Sequence, residues 1–120
     1  MDCIFCKIIK GDIPSYTIYE DDIVKVFLDV NPMSPGHMLI IPKKHFENLD
    51  DIDIDTLTHI NEIAKKMHIL LKEKLNIDGM SIMQNNGDVQ EVKHYHMHLK
   101  PYYNENNGIS VEEVYKKLIG

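Results

Sequence analysis

The chain is short of cysteine, of positive charge and of uninterrupted apolar sequence, and each shortage excludes something. Only two cysteines occur, Cys3 and Cys6, and in a reducing compartment a structural disulfide between them is not expected. Thirteen Lys and Arg residues face nineteen Asp and Glu, a formal net charge of −6. That balance argues against broad nucleic-acid or anionic-membrane binding, while leaving room for a local nucleotide pocket. No apolar run approaches the ~20 residues of a membrane span, and the first residues lack a charged-then-apolar signal, so a cytoplasmic protein is expected. Repeats, linkers and low-complexity tracts are also missing. What is present is 120 residues, 43% hydrophobic and 27% charged. This suits a single domain over residues 1–120, able to bury roughly two-thirds of its unfolded surface.

Hydrophobic periodicity outlines the elements. Asp2 is placed to cap a short helix over residues 3–10, with Ile4, Phe5, Ile8 and Ile9 on one stripe and Gly11 past its end. Strands are expected over 16–20 and 23–28 around a Glu20-Asp21-Asp22 turn, then over 37–41, where Pro42 stops the run. Apolar residues from Leu57 to Leu75 recur at three or four and predict one long helix, capped by Asp53 or Asp55. A strand over 79–84 and the loop 85–89 lead to a histidine-bearing strand, and Ser110 with Glu113 forms a capping box for a tail helix over about 110–119. An α+β antiparallel meander with one long helix, short terminal helices and a core over about 3–103 follows. His59 and His68 fall off the long helix's apolar stripe and are read as solvated.

The chain is organised around Lys93-His94-Tyr95-His96-Met97-His98-Leu99. Histidines alternating with apolar residues predict a two-faced strand, with Tyr95, Met97 and Leu99 turned inward. Side chains two apart on a strand begin roughly 7 Å apart, and the outer pair roughly 13 Å. One metal ion with bonds of about 2 Å does not gather all three, so the histidines divide their work. A second constellation, Cys3-x-x-Cys6, has the spacing of a metal knuckle that needs two more ligands, for which His45 and His94 are the candidates. A redox pair, or two buried small hydrophobes, are the other readings of these cysteines.

The histidine stretch resembles the His-x-His-x-His signature of the histidine triad (HIT) superfamily. Cys3-Ile4-Phe5-Cys6-Lys7-Ile8-Ile9, Phe27-Leu28-Asp29, Pro35-Gly36-His37-Met38-Leu39-Ile40-Ile41-Pro42-Lys43 and Asn85-Asn86-Gly87 are similar to family segments, in family order. The resemblance covers about residues 3–103 and is nearest to the HINT-like branch that carries an N-terminal Cys pair. It implies the HIT-like meander, and a homodimer sharing one continuous sheet. It implies cleavage of purine nucleoside phosphoramidates, or of related nucleotide conjugates, through a nucleotidyl-histidine intermediate. It also implies roles, residue by residue. His96 matches the nucleophile and His98 the phosphate contact, while Asn85 and Gln90 match amides that orient the phosphate and leaving group. Asp29 matches the acid that takes both ribose hydroxyls, and Ile4, Phe5, Ile8, Phe27 and Val30 match apolar positions around the base. His37 matches a histidine near the site, with no role derived for it. In the Cys-bearing branch Cys3, Cys6, His45 and His94 match a structural zinc site.

Other readings of the same residues stand beside these. Asn85-Asn86-Gly87 is also an ordinary turn sequence, Asp29 also begins an Asp-Val-Asn-Pro turn, and the apolar five also suit plain core. The chain departs from the family in a shortened loop, with only Asp88-Val89 before Gln90, and in Glu91, where many relatives carry Ser or Thr. An ionised Glu offers no hydrogen to a phosphate and repels it unless it turns away. Lys93 and Lys100 flank the strand and offset that charge. Against the hydrolase stand a non-catalytic nucleotide-binding or partner-binding protein, and a zinc-dependent regulatory module with His96 idle.

Overall fold

The computed structural model describes residues 3–105 and 108–120. In chain order these form α1 (Ile4–Lys10), β1 (Thr17–Glu20), β2 (Val24–Leu28), β3 (Met38–Pro42), α2 (Ile54–Leu75), β4 (Gly79–Gln84), a short 3-10 turn (Gly87–Val89), β5 (Met97–Tyr102) and α3 (Val111–Ile119). The strands make one sheet in the order β1-β2-β3-β5-β4, with every neighbouring pair antiparallel. This is the expected α+β fold with an antiparallel sheet, but only β1-β2-β3 run as a meander, because β5 lies between β3 and β4. No described helix is long and apolar enough to cross a membrane.

Every residue of β2 and β3 is buried, because both faces of the sheet's centre are covered. Val24, Val26, Leu28, Met38 and Ile40 face α2 and join Ile60, Ile63 and Leu71 in the main core. The alternate positions, Phe27, Leu39 and Ile41, face α1 and pack with Phe5 and Ile8. Lys25 lies among these alternate positions, and its ammonium lies 3.4 Å from the Ile8 carbonyl, in the last turn of α1 where cations are favourable. Caps end the helices as the chemistry requires. Asp53 accepts from Thr56 N–H at the start of α2, and Ser110 accepts from Glu113 N–H at the start of α3.

Several expectations change. Asp2 lies outside the described residues, and the cap of α1 is Cys3, whose sulfur accepts from Cys6 N–H at 3.3 Å. Ile4 is 48% exposed, because the buried stripe of this short helix runs through Phe5 and Ile8. His59 is not simply solvated: its Nε2 lies 2.7 Å from Asp21, whose other oxygen accepts Ile23 and Val24 N–H in the hairpin turn. The ring thus ties α2 to that turn. His68 is half-buried, and its Nδ1 finds no partner among the described residues.

The largest change concerns the histidine stretch. Only His98 sits in β5; His94 and His96 lie in irregular chain before it. The ladder with β3 pairs Ile40 with Met97, Leu39 with His98 and Met38 with Leu99, and goes no further. Upstream, the backbone groups find other partners: Tyr95 N–H donates to the Phe46 carbonyl, and the His94 carbonyl accepts from the His96 side chain. Tyr95, Met97 and Leu99 are buried as the alternation predicts.

Gly36 adopts φ +91°, and a Cβ there would stand 2.8 Å from both Leu71 Cδ2 and Leu75 Cδ1. The left-handed backbone and the packed leucines together predict that Gly36→Ala destabilises the fold by about 1–3 kcal/mol. A lowered urea midpoint at unchanged slope checks this.

Candidate active site and metal centre

The end of β2 with Asp29, the chain just before β3 with His37, and the segment His94–His98 meet on the α1 side of the sheet. There they border a cleft of about 430 Å³. Ile4 and Phe5 bring α1 to the same cleft, and Asn85 brings the loop after β4. Phe5 holds the histidine rings edge-on, with centroids 5.1 Å from His96 and 5.9 Å from His94.

Each tautomer follows from the backbone group a ring nitrogen already meets. His94 Nε2 lies 2.8 Å from the Pro42 carbonyl, which only accepts, so Nε2 carries the proton and Nδ1 is bare. His96 Nδ1 donates to the His94 carbonyl at 2.8 Å, which leaves a free lone pair on Nε2. His37 runs the other way. Met33 N–H donates to its Nδ1 at 3.1 Å, so Nε2 keeps the proton and donates to His98 Nδ1 at 3.0 Å. His98 is left with Nε2–H as its one donor.

Burial keeps these rings neutral. It pushes His37 and His96 below the ordinary histidine range and brings His94 and His98 down to about 4. For His96 the bond to the His94 carbonyl and the charges of Asp29 and Glu91 pull the other way. His98 is therefore expected to hold its Nε2–H tautomer, uncharged, from pH 8 down to about pH 5. Imidazole 15N shifts check this: a charge change between pH 8 and pH 6 contradicts it, and His37→Ala should release the tautomer into a mixture.

Four donors gather beside this cleft. His94 Nδ1 lies 3.4 Å from Cys3 Sγ and 3.6 Å from Cys6 Sγ, and His45 Nδ1 lies 3.3 Å from Cys6 Sγ. All four donor atoms fall within 4.8 Å of one another. Nitrogen and sulfur ligands on a tetrahedral zinc stand roughly 3.5 Å apart, so the spacing fits, and bare Nδ1 is the tautomer a metal requires. Asp29, His37 and His98 also cluster, but His37 Nε2 holds a proton there. A metal on that nitrogen would need an imidazolate, so the cluster is a hydrogen-bond chain.

Of the expected site residues, Asp29, Asn85, His96, His98, Ile4 and Phe5 share the cleft. Phe27 and Ile8 lie behind Phe5, with the two phenyl centroids 5.7 Å apart. Val30 is 68% exposed and does not line the cleft. Gln90 does not line it either: it is buried, its Nε2 donates to the Glu47 carbonyl at 2.6 Å, and its Oε1 has no partner among the described residues. Glu91 does line the cleft, and its charge acts on His96. The shortened loop is tied down by Lys93, whose ammonium donates to the Gly87 carbonyl at 2.7 Å. Sequence reasoning missed Leu39, which strand parity marks, because it pairs directly with both Phe27 and His98. It also left His37 without a role; nothing local in sequence says that its ring meets one 61 residues away.

The HIT domain family model matches residues 10–105. An uncharacterised HIT-like protein of Methanocaldococcus jannaschii is 43% identical over 98% of this chain and 99% of its own. The adenosine 5′-monophosphoramidase of Saccharomyces cerevisiae is 44% identical over 91% of this chain and 68% of its own. A zinc-bound histidine triad family protein of Mycobacterium smegmatis superposes with a TM-score of 0.91 at 33% identity, covering 99% of this chain and 91% of that one. A family model that spans most of the chain, and relatives that share its sheet from end to end, leave one conclusion about its descent: this chain belongs to the HIT domain family.

Proposed function

We propose that this chain hydrolyses nucleoside phosphoramidates, and related nucleotide conjugates, through a nucleotidyl intermediate on His96. The observation that carries this reading is the His96 tautomer, with Nδ1–H bound to the His94 carbonyl and an unprotonated Nε2 beside the cleft. In the first step Nε2 bonds to the α-phosphorus as the bond to the leaving nitrogen breaks, and the departing amine takes up a proton from solvent water, to which the attacking water of the second step returns one. In the second, water attacks phosphorus, the bond to Nε2 breaks, and the nucleotide is released. Charge on the phosphoryl oxygens is met by the His98 Nε2–H, fixed by His37, and by the Asn85 amide. Asp29, with one oxygen on Asn31 N–H, offers the other to the ribose hydroxyls. Ile4 and Phe5, backed by Phe27 and Ile8, border the base; Val30 stays outside the cleft, and Gln90 acts through the Glu47 backbone it holds. The adenosine 5′-monophosphoramidase name of the yeast relative supports the substrate class.

Zinc belongs to the same proposal, held by Cys3, Cys6, His45 and His94. The donor spacing and the zinc-bound mycobacterial relative support it. With all four positions filled by protein, the metal ties α1 to the segment carrying His96 and supplies no open coordination site. A homodimer is also proposed. Ile82 on the edge strand β4 and Ile69 on α2 are exposed, and Ile82 shares the α2 face with its partner Leu99.

Single-turnover reaction with adenosine 5′-monophosphoramidate, quenched in acid, tests the reading. The expected product is one adenylyl group on the peptide that contains His96. Release of AMP at full rate with no adduct at any time overturns it.

A further inference from the structure

Lys100 follows His98 by two residues on β5, so both side chains leave the same face of the sheet. Both line the catalytic cleft, and Lys100 also lines an adjoining cleft of about 510 Å³ that includes Ser34, Ser81, Asn104 and one carboxylate, Glu105. Its ammonium meets one polar atom among the described residues, the Met83 sulfur at 3.6 Å, which is a weak acceptor. No carboxylate among the described residues comes within ion-pair distance of it.

The chain contains no arginine, so the bidentate fork that commonly binds phosphate is not available. Lys100 is also the one lysine among the residues lining the catalytic cleft, where Asp29 and Glu91 contribute two negative charges. Burial first, and the Lys100 charge in addition, keep His37 and His98 neutral. An anion between His96 and His98 therefore meets neutral N–H donors. The full positive charge lies one step further along β5, away from Glu91, whose field acts on His96. An anionic ligand would give this half-buried ammonium the charge-assisted partner that the Met83 sulfur does not.

We propose that Lys100 binds a second anionic group of the substrate, beyond the reacting phosphorus, so that conjugates bearing a phosphoryl or carboxylate there are the preferred class. The inference rests on the nucleotide site proposed above. That group has two possible sources, the leaving-group side or the sugar.

Calorimetric titration with AMP, adenosine 5′-(α,β-methylene)diphosphate and adenosine 3′,5′-bisphosphate separates them, using wild type, Lys100→Gln and Lys100→Arg. Wild type should bind one doubly phosphorylated ligand about 10-fold tighter than AMP, the scale of one charge-assisted contact. Lys100→Gln should erase that preference, Lys100→Arg should retain it, and added salt should shrink it. Tighter binding of the methylene diphosphate places the anion on the leaving-group side; tighter binding of the bisphosphate places it on the sugar. No preference in wild type, or an equal loss for all three ligands in Lys100→Gln, overturns the proposal. Because the readout is binding, its failure leaves the hydrolase reading standing, and failure to form an adduct leaves Lys100 to be judged here.

Discussion

His96→Ala is expected to lower kcat/KM for adenosine 5′-monophosphoramidate by about 10⁴-fold or more, and to abolish the adenylyl adduct proposed above. Removal of a nucleophile eliminates the covalent route, and what survives is the alignment and charge stabilisation offered by the rest of the cleft. Binding of AMP should change far less, because His98, Asn85 and Asp29 remain in place. The truncation also removes the ring against which Phe5 packs at 5.1 Å, so part of any loss could reflect a loosened fold. A thermal midpoint measured beside the kinetics separates the two effects. An alanine variant that keeps its midpoint and turns over within 10-fold of wild type would falsify the nucleophile assignment, whatever else the protein does.

Metal removal should produce the second large effect. A strong chelator, or Cys6→Ser, is expected to lower the thermal midpoint by 10 °C or more, on the order of several kcal/mol for a structural zinc. If zinc is held there as proposed, its removal would leave Cys3, Cys6, His45 and His94 as four polar groups crowded together. Activity should fall before the fold does. His94 offers Nδ1 to the metal group and its own carbonyl to His96 Nδ1, so one residue links the metal to the nucleophile's tautomer. Loss of the ion frees that ring and, through its backbone, the group that orients His96. One equivalent of zinc by elemental analysis, released in step with the midpoint shift, supports the assignment. A midpoint indifferent to both chelator and Cys6→Ser defeats it.

How far the sequence carried can be judged from particular residues. The period-two run from Tyr95 to Leu99 marked the apolar residues of the core, because inward-facing positions follow local geometry and hydrophobicity, but it did not show that His94 and His96 are buried as well. The same alternation suggested that β5 begins at His94, and it does not. Periodicity reports which side chains turn inward, whereas a strand also needs a partner for each backbone group. Here those partners are the Phe46 carbonyl and the His96 ring. Helix ends were legible at Asp53 and Ser110, where the capping oxygen and the N–H that donates to it lie three residues apart. Asp21 and His59, 38 residues apart, show the opposite case.

The sequence by itself determined the α+β class, the position of the long helix and the presence of two chemical constellations. Each of these depends on the order and spacing of neighbours along the chain. Tertiary structure alone decided which nitrogen of each histidine carries its proton, because that is set by the Pro42 carbonyl for His94 and by Met33 N–H for His37. It also decided that Lys100 lines the cleft with no carboxylate beside it among the described residues, while Gln90 turns to the Glu47 backbone. Tautomers and unpaired charges depend on groups brought together from distant parts of the chain, and no local pattern encodes who those neighbours are.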